Sequence, residues 1–136
     1  MKNIAKQPKY VMDASALLAF ANNEPYNCNL KILFDDSIVT TFNLAEAVNK
    51  MILNTGADEE ITWEFISNFV QEHYPLDDEL SYEVIKMTKI TKPVGLSLGD
   101  RYCIALGKIL NLPVYTADKS WKTVEKQLGV TIKLIR

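Results

Sequence analysis

Tyr10-Val11-Met12-Asp13-Ala14-Ser15-Ala16-Leu17-Leu18 is the stretch on which the fold turns. A short apolar run stops at an acid, and Ala14, Leu17, Leu18 and Ala21 then recur at helical spacing. Asp13 therefore stands at a strand-to-helix junction. The far end of the chain repeats the arrangement: Val114-Tyr115-Thr116 reads as a strand, Asp118 follows, and a helix from Lys119 to Leu128 is stopped by Gly129. Between them, β-branched Ser37-Ile38-Val39-Thr40-Thr41 reads as a strand. A helix from about Asn43 to Asn54 then carries Leu44, Ala47, Val48, Met51 and Ile52. Asn22-Asn23-Glu24-Pro25 breaks the first helix, and 27–35 reads as a second short one. Glu59 to Gln71 is amphipathic, with Ile61, Phe65, Ile66, Phe69 and Val70 at helical spacing. Further helices are expected from Asp78 to Thr91 and from Leu98 to Leu110, with a last strand from Val130 to Ile135. Strands separated by helices imply a mainly parallel central sheet with helices on both faces. The expectation is a single α/β domain over 1–136, with residues 1–8 a flexible polar tail.

The bulk numbers narrow the chemistry. At 136 residues, 48% hydrophobic and 24% charged, the chain has the composition of an ordinary globular domain. Its net charge of −2 provides no global attraction to nucleic acid, so any such binding must come from local bases. The lysines fall in the N-terminal tail (Lys2, Lys6, Lys9), from Lys86 to Lys92, and from Lys119 to Lys133. The cysteines, Cys28 and Cys103, form no C-x-x-C, and His73 is the only histidine. A zinc site and a Ser-His-Asp or Cys-His catalyst are thereby disfavoured. No signal peptide is evident, and no apolar run approaches the roughly 20 residues needed to span a membrane. A reducing cytoplasm is the expected compartment.

Four acids sit where a strand ends or a helix begins: Asp13, Glu46, Asp100 and Asp118. In α/β folds such positions gather along one edge of the sheet, where ligands bind. Carboxylates converging there repel unless a cation lies among them, and hard divalent ions take oxygen ligands of this kind. Each acid also has a purely structural explanation. Asp13 and Asp118 are placed as helix N-caps, while Asn43-x-x-Glu46 and Ser97-x-x-Asp100 resemble capping boxes. Ser15 and Thr116 stand two residues from Asp13 and Asp118 and could either line the same pocket or make local turn bonds. Asn49, one turn after Glu46, could reach the same edge, though an exposed helix position is the simpler expectation. Trp63, Phe65 and Phe69 read as core or as a partner interface.

Together these segments resemble the PIN-domain ribonucleases, in particular the compact VapC-type toxins of bacterial and archaeal toxin–antitoxin pairs. The likeness runs from Tyr10 to about Ile135. Val-Met-Asp-Ala-Ser-Ala-Leu-Leu-Ala at 11–19 is similar to the family's opening strand and first acid, and Asn-Leu-Ala-Glu-Ala at 43–47 to its second-acid segment. Leu-Ser-Leu-Gly-Asp-Arg-Tyr-Cys-Ile-Ala-Leu-Gly at 96–107 is similar to the third. Val-Tyr-Thr-Ala-Asp-Lys-Ser-Trp at 114–121 is similar to the closing segment, with Trp121 where Phe is commoner. The resemblance implies single-strand-selective RNA cleavage with Mg²⁺ or Mn²⁺ held by Asp13, Glu46, Asp100 and Asp118. It also implies homodimerisation and inhibition by a cognate antitoxin entering the acidic groove. The expected reaction is phosphodiester hydrolysis by metal-activated water, with Ser15 and Thr116 in support. Two alternatives stand beside it: a non-catalytic interaction module whose acids cap helices, and a phosphatase forming an aspartyl phosphate on Asp13.

Overall fold

A computed structural model describes residues 6–136, and in it Tyr10–Met12 (β1) occupies the middle of a five-stranded, wholly parallel sheet of order β3-β2-β1-β4-β5. Its neighbours are β2 (Ser37–Thr40), in register Val11↔Ile38, and β4 (Val114–Thr116), in register Val11↔Val114. The outer strands are β3 (Glu72–Tyr74) beside β2 and β5 (Ile132–Leu134) beside β4.

Strand alternation divides the interior in two. Val11, Ile38, Val114 and Ile132 face one cluster, filled by Leu80 and Val84 of α5 (Asp78–Lys86), Cys103 to Leu106 of α7 (Leu98–Leu110), and Trp121. Met12, Val39 and Tyr115 face the other. There they meet α1 (Ala14–Ala21), α2 (Leu30–Asp35), α3 (Thr41–Thr55) and Ile66 of α4 (Glu59–Ser67). The remaining helices are the short α6 (Thr88–Thr91) and α8 (Glu125–Leu128). The expected α/β architecture, with apolar layers on both faces of a parallel sheet, is the one found.

Several expected boundaries move. The amphipathic stretch to Gln71 ends as helix at Ser67, and the chain then forms β3, which the sequence reading missed. Release from the helix lets Phe69 stack on Phe34 at 5.8 Å and meet Phe20 and Phe65 edge-on, both at 4.9 Å. Phe69 is thus core, whereas Trp63 and Phe65 remain exposed. The helix expected over 78–91 breaks at buried Met87, whose N–H bonds Val84 O in a tighter turn before α6 begins. The helix expected from Lys119 is mostly 3₁₀, Lys119–Val124, ahead of α8. Of the expected N-terminal tail, residues 1–5, with Lys2, lie outside the described residues; Lys6 and Lys9 form ion pairs with Asp36. Among the described residues no helix is long and apolar enough to cross a membrane.

Packing of α7 on β4 depends on one missing side chain. A Cβ at Gly107 would fall inside van der Waals distance of Val114 Cγ2 and at 3.1 Å from Leu112 O. In an open helix Gly→Ala gains up to about 1 kcal/mol. Here the buried, β-branched Val114 cannot yield, so Gly107→Ala is expected to destabilise by about 1–3 kcal/mol, read as a lower urea midpoint at unchanged slope.

Candidate active site

Strand order reverses at β1, since β2 and β3 lie to one side and β4 and β5 to the other. The crevice beyond the carboxyl ends of β1 and β4 is therefore the switch point at which such sheets bind ligands. Asp13 follows β1 and is buried at 5% exposure. It occupies the N-cap position of α1, yet its side chain makes no capping bond. Instead Ser15 Oγ and Thr116 Oγ1 both donate to Asp13 Oδ2, at 2.7 and 2.9 Å. Ser15 Oγ also accepts Ala117 N–H at 2.9 Å, and Thr116 Oγ1 accepts Asp118 N–H at 3.1 Å. The two hydroxyls so join the start of α1 to the end of β4 while fixing one oxygen of the carboxylate. Neither engages Oδ1.

Glu46 is not a capping residue either. The N-cap of α3 is Thr40, whose hydroxyl accepts Asn43 N–H at 2.9 Å and donates to Asn43 Oδ1 at 2.6 Å. Glu46 lies one turn further on, where Asn43 Nδ2 donates to its Oε1 at 2.8 Å and to Gly99 O at 2.9 Å. Buried Asn43 therefore ties α3 to α7 and aims Glu46, a role the sequence reading did not assign. Gly99 provides the space: a Cβ there would lie 2.6 Å from the Glu46 carboxyl carbon.

The other two acids do cap. Ser97 and Asp100 form a full capping box on α7, with Ser97 N–H donating to Asp100 Oδ2 at 2.9 Å. Asp118 Oδ1 accepts Ser120 N–H at 2.9 Å and Ser120 Oγ–H at 2.7 Å. All four acids nonetheless line one cleft of about 460 Å³, together with Ser15, Glu24, Asn49, Lys50 and Arg136. The juxtaposition expected of the four acids and Ser15 is thus present, with Thr116 bonded to Asp13 just beneath.

Burial raises the Asp13 pKa to about 6, with the Asp100 charge adding to the rise against the lowering effect of the Ser15 and Thr116 hydroxyls. Glu46 is raised mainly by burial and further by Asp100, against its bond from Asn43. Asp100 is raised by burial and by Asp118, against its bonds from Ser97. The acids sense one another, yet among the described residues no three acidic, histidine or cysteine groups stand close enough to grip one ion as placed. Their chemistry fits Mg²⁺ or Mn²⁺: carboxylate oxygens only, one buried without a cationic partner, and one in a cradle that a side chain at Gly99 would fill. Cys103 contributes nothing to such a set, because burial pushes its thiol well up.

A raised acid favours the folded state while protonated and loses that contribution as pH rises through its folded pKa. In EDTA, Asp13→Asn is therefore expected to gain on the wild type between about pH 4 and 6. Spread over the interval from the ordinary 3.8 to about 6, the gain reaches about 3 kcal/mol. Urea titrations across that range measure it, and a gap that does not change with pH would contradict the assignment.

The comparisons with known proteins agree with this geometry. No curated protein matches the chain in sequence. Among solved structures, VapBC-5 of Mycobacterium tuberculosis, a toxin–antitoxin system member, is 19% identical with TM-score 0.61, covering 95% of this chain and 99% of that one. DNA-bound VapBC of Salmonella typhimurium superposes at TM-score 0.72 with 12% identity, covering 96% and 100%. VapC20 of M. tuberculosis, a toxin that cleaves the sarcin-ricin loop, superposes at 0.68 with 11% identity, covering 85% and 94%. At these identities the likeness is one of fold. The PIN domain model, however, matches residues 10–127, from the first residue of β1 into α8, and the chain belongs to the PIN domain family.

Proposed function

We propose that this protein is a metal-dependent endoribonuclease that hydrolyses RNA phosphodiesters and serves as the toxin of a toxin–antitoxin pair. The observation that carries the reading is Asp13: buried, free of capping duty, and held by two hydroxyls at the switch point of the sheet. Membership of the PIN domain family and the fold shared with VapC20 support it. Asp13, Asp100 and Asp118 would hold Mg²⁺ or Mn²⁺, with Glu46 bound directly or through water. Bound there, the ion would activate water and offset charge developing on the phosphate oxygens.

The chain's own contribution is to hold its oxygens in place. Ser15 and Thr116 fix Asp13, Asn43 fixes Glu46, Ser97 fixes Asp100 and Ser120 fixes Asp118. Such second-layer bonds limit the reorganisation needed at the moment of reaction. Side-chain nucleophiles are disfavoured. Cys103 is fully buried, and His73 lies on β3 bonded to Ser67 O, away from the cleft. An aspartyl-phosphate route is disfavoured because the position two residues after Asp13, where such phosphatases carry a second Asp, is Ser15, which leaves attack by water.

The acidic cleft also suggests how the enzyme is restrained in the cytoplasm. An Arg or Lys of a cognate antitoxin would sit among Asp13, Glu46, Asp100 and Asp118 through charge-assisted hydrogen bonds. An apolar helix of that partner would lie on exposed Ile61, Trp63 and Phe65 of α4. We take the working form to be a homodimer.

Cleavage of a panel of structured and unstructured RNAs should require Mg²⁺ or Mn²⁺, stop in EDTA, and be lost in Asp100→Asn and Asp118→Asn proteins that still melt cooperatively. Divalent ions should raise the melting temperature, stabilising the folded state by about 2.7 kcal/mol at 100 times the dissociation constant. Gly99→Ala should displace the Glu46 carboxylate and lower kcat while leaving the fold intact. Cleavage that survives both EDTA and Asp100→Asn would remove the proposal.

A further inference from the structure

We infer that Lys50 and Arg136 form a phosphate-binding rim on the acidic cleft, seating RNA phosphates next to the one being cut; the inference rests on the ribonuclease reading above. The cleft's acids repel a polyanion, and the net charge of −2 offers no compensating field, so beyond an ion at the cut phosphate the neighbouring phosphates call for basic side chains of the chain itself. Lys50 and Arg136 are the basic side chains lining the cleft, and they come from unrelated elements, α3 and the segment after β5.

Each is in a suitable state. Lys50 is exposed one turn beyond Glu46 and, among the described residues, forms no ion pair. Arg136 is anchored: its Nη1 donates to Glu24 Oε1 and to Pro25 O, both at 3.2 Å. Those bonds use one nitrogen of the guanidinium. Nε and Nη2 have no partner among the described residues, which leaves donors of a planar fork available to a phosphate. Many other bases are committed elsewhere. Lys6 and Lys9 pair with Asp36, Lys86 and Lys108 with Glu83, and Lys122 with Glu125, while Arg101 bonds Thr88 Oγ1. The anchored arginine supplies geometry and the exposed lysine supplies charge.

The test is equilibrium binding of a fluorescein-labelled single-stranded RNA by anisotropy, across a salt series, with the full chain carrying Asp100→Asn to hold cleavage down. Adding Lys50→Gln or Arg136→Gln should weaken binding on every sequence tried and reduce the salt slope by about 0.7 for each lost phosphate contact. Lys108→Gln, in the last turn of α7 while Asp100 is in its first, and paired with Glu83, should change neither. Glu24→Gln separates a binding role from a stapling one, because it frees the guanidinium without removing its charge. A staple predicts that Glu24→Gln and Arg136→Gln lower the melting temperature alike and leave the slope unmoved. Binding that is absent at low salt, or a slope unchanged in both Lys50→Gln and Arg136→Gln, would overturn the rim. Wild-type rates of cleavage by the Asp100→Asn protein would instead overturn the ribonuclease reading, leaving the binding result to stand on its own.

Discussion

A carboxylate buried without a cation is the constraint around which this molecule is arranged. Asp13 sits at the carboxyl end of the central strand, at 5% exposure, where an ionised group is costly unless it is bonded. The bonds it receives come from Ser15 at the start of α1 and Thr116 at the end of β4. Those two elements meet because β1 pairs with β4 directly, and Asp13 N–H continues the ladder to Tyr115 O at 3.0 Å. The sheet order that creates the crevice is therefore also what brings the hydroxyls to the acid. A one-residue slip of β4 along β1 would turn Val114 out of its cluster and carry Thr116 away from Asp13.

The four acids divide by whether they cap a helix. Asp100 and Asp118 cap helices and line the cleft together, so capping and a second role coexist in one side chain. Asp13 and Glu46 line the cleft without capping anything. A module whose acids served only helix ends would have no reason to bury Asp13 or to keep Gly99 bare beneath Glu46. Asn43 adds to this: its amide spans Glu46 and Gly99 O, making the position of the acid depend on the packing of α3 against α7.

Much of this was legible in the sequence because it is written in local periods. The short strand-like runs Tyr10–Met12 and Val114–Thr116, each followed by an acid and a helical pattern, place the central strands and two of the acids. β3 was not legible: Glu72-His73-Tyr74 is polar, lies at an edge with β2 as its one neighbour, and directly follows helical spacing. In the sequence Glu46 stands both among the four acids and in a capping-box pattern, because a capping box and a helix-surface pair share the same three-residue spacing. The start of α3 at Thr41 distinguishes them, and that boundary is set by Thr40 at the end of β2. Gly99, Lys50 and Arg136 left no local signal, since their importance comes from elements that meet only in the folded chain.

Compensation within the cleft is incomplete, and that incompleteness has a physical use. The amino ends of α1 and α7 direct positive dipole ends toward Asp13 and Asp100, which softens the clustering of charge. Asp13, Glu46 and Asp100 remain raised above their ordinary pKa values all the same, each by burial first and by an acidic neighbour besides. A cleft fully neutralised by its own caps and amides would be more stable and would have little affinity for a cation. Here residual negative potential persists among hydroxyls, an amide and a bare glycine, and a cation that drew the acids together from their present spacing would relieve that repulsion. Local instability and affinity for a hard ion would then be the same property of these side chains.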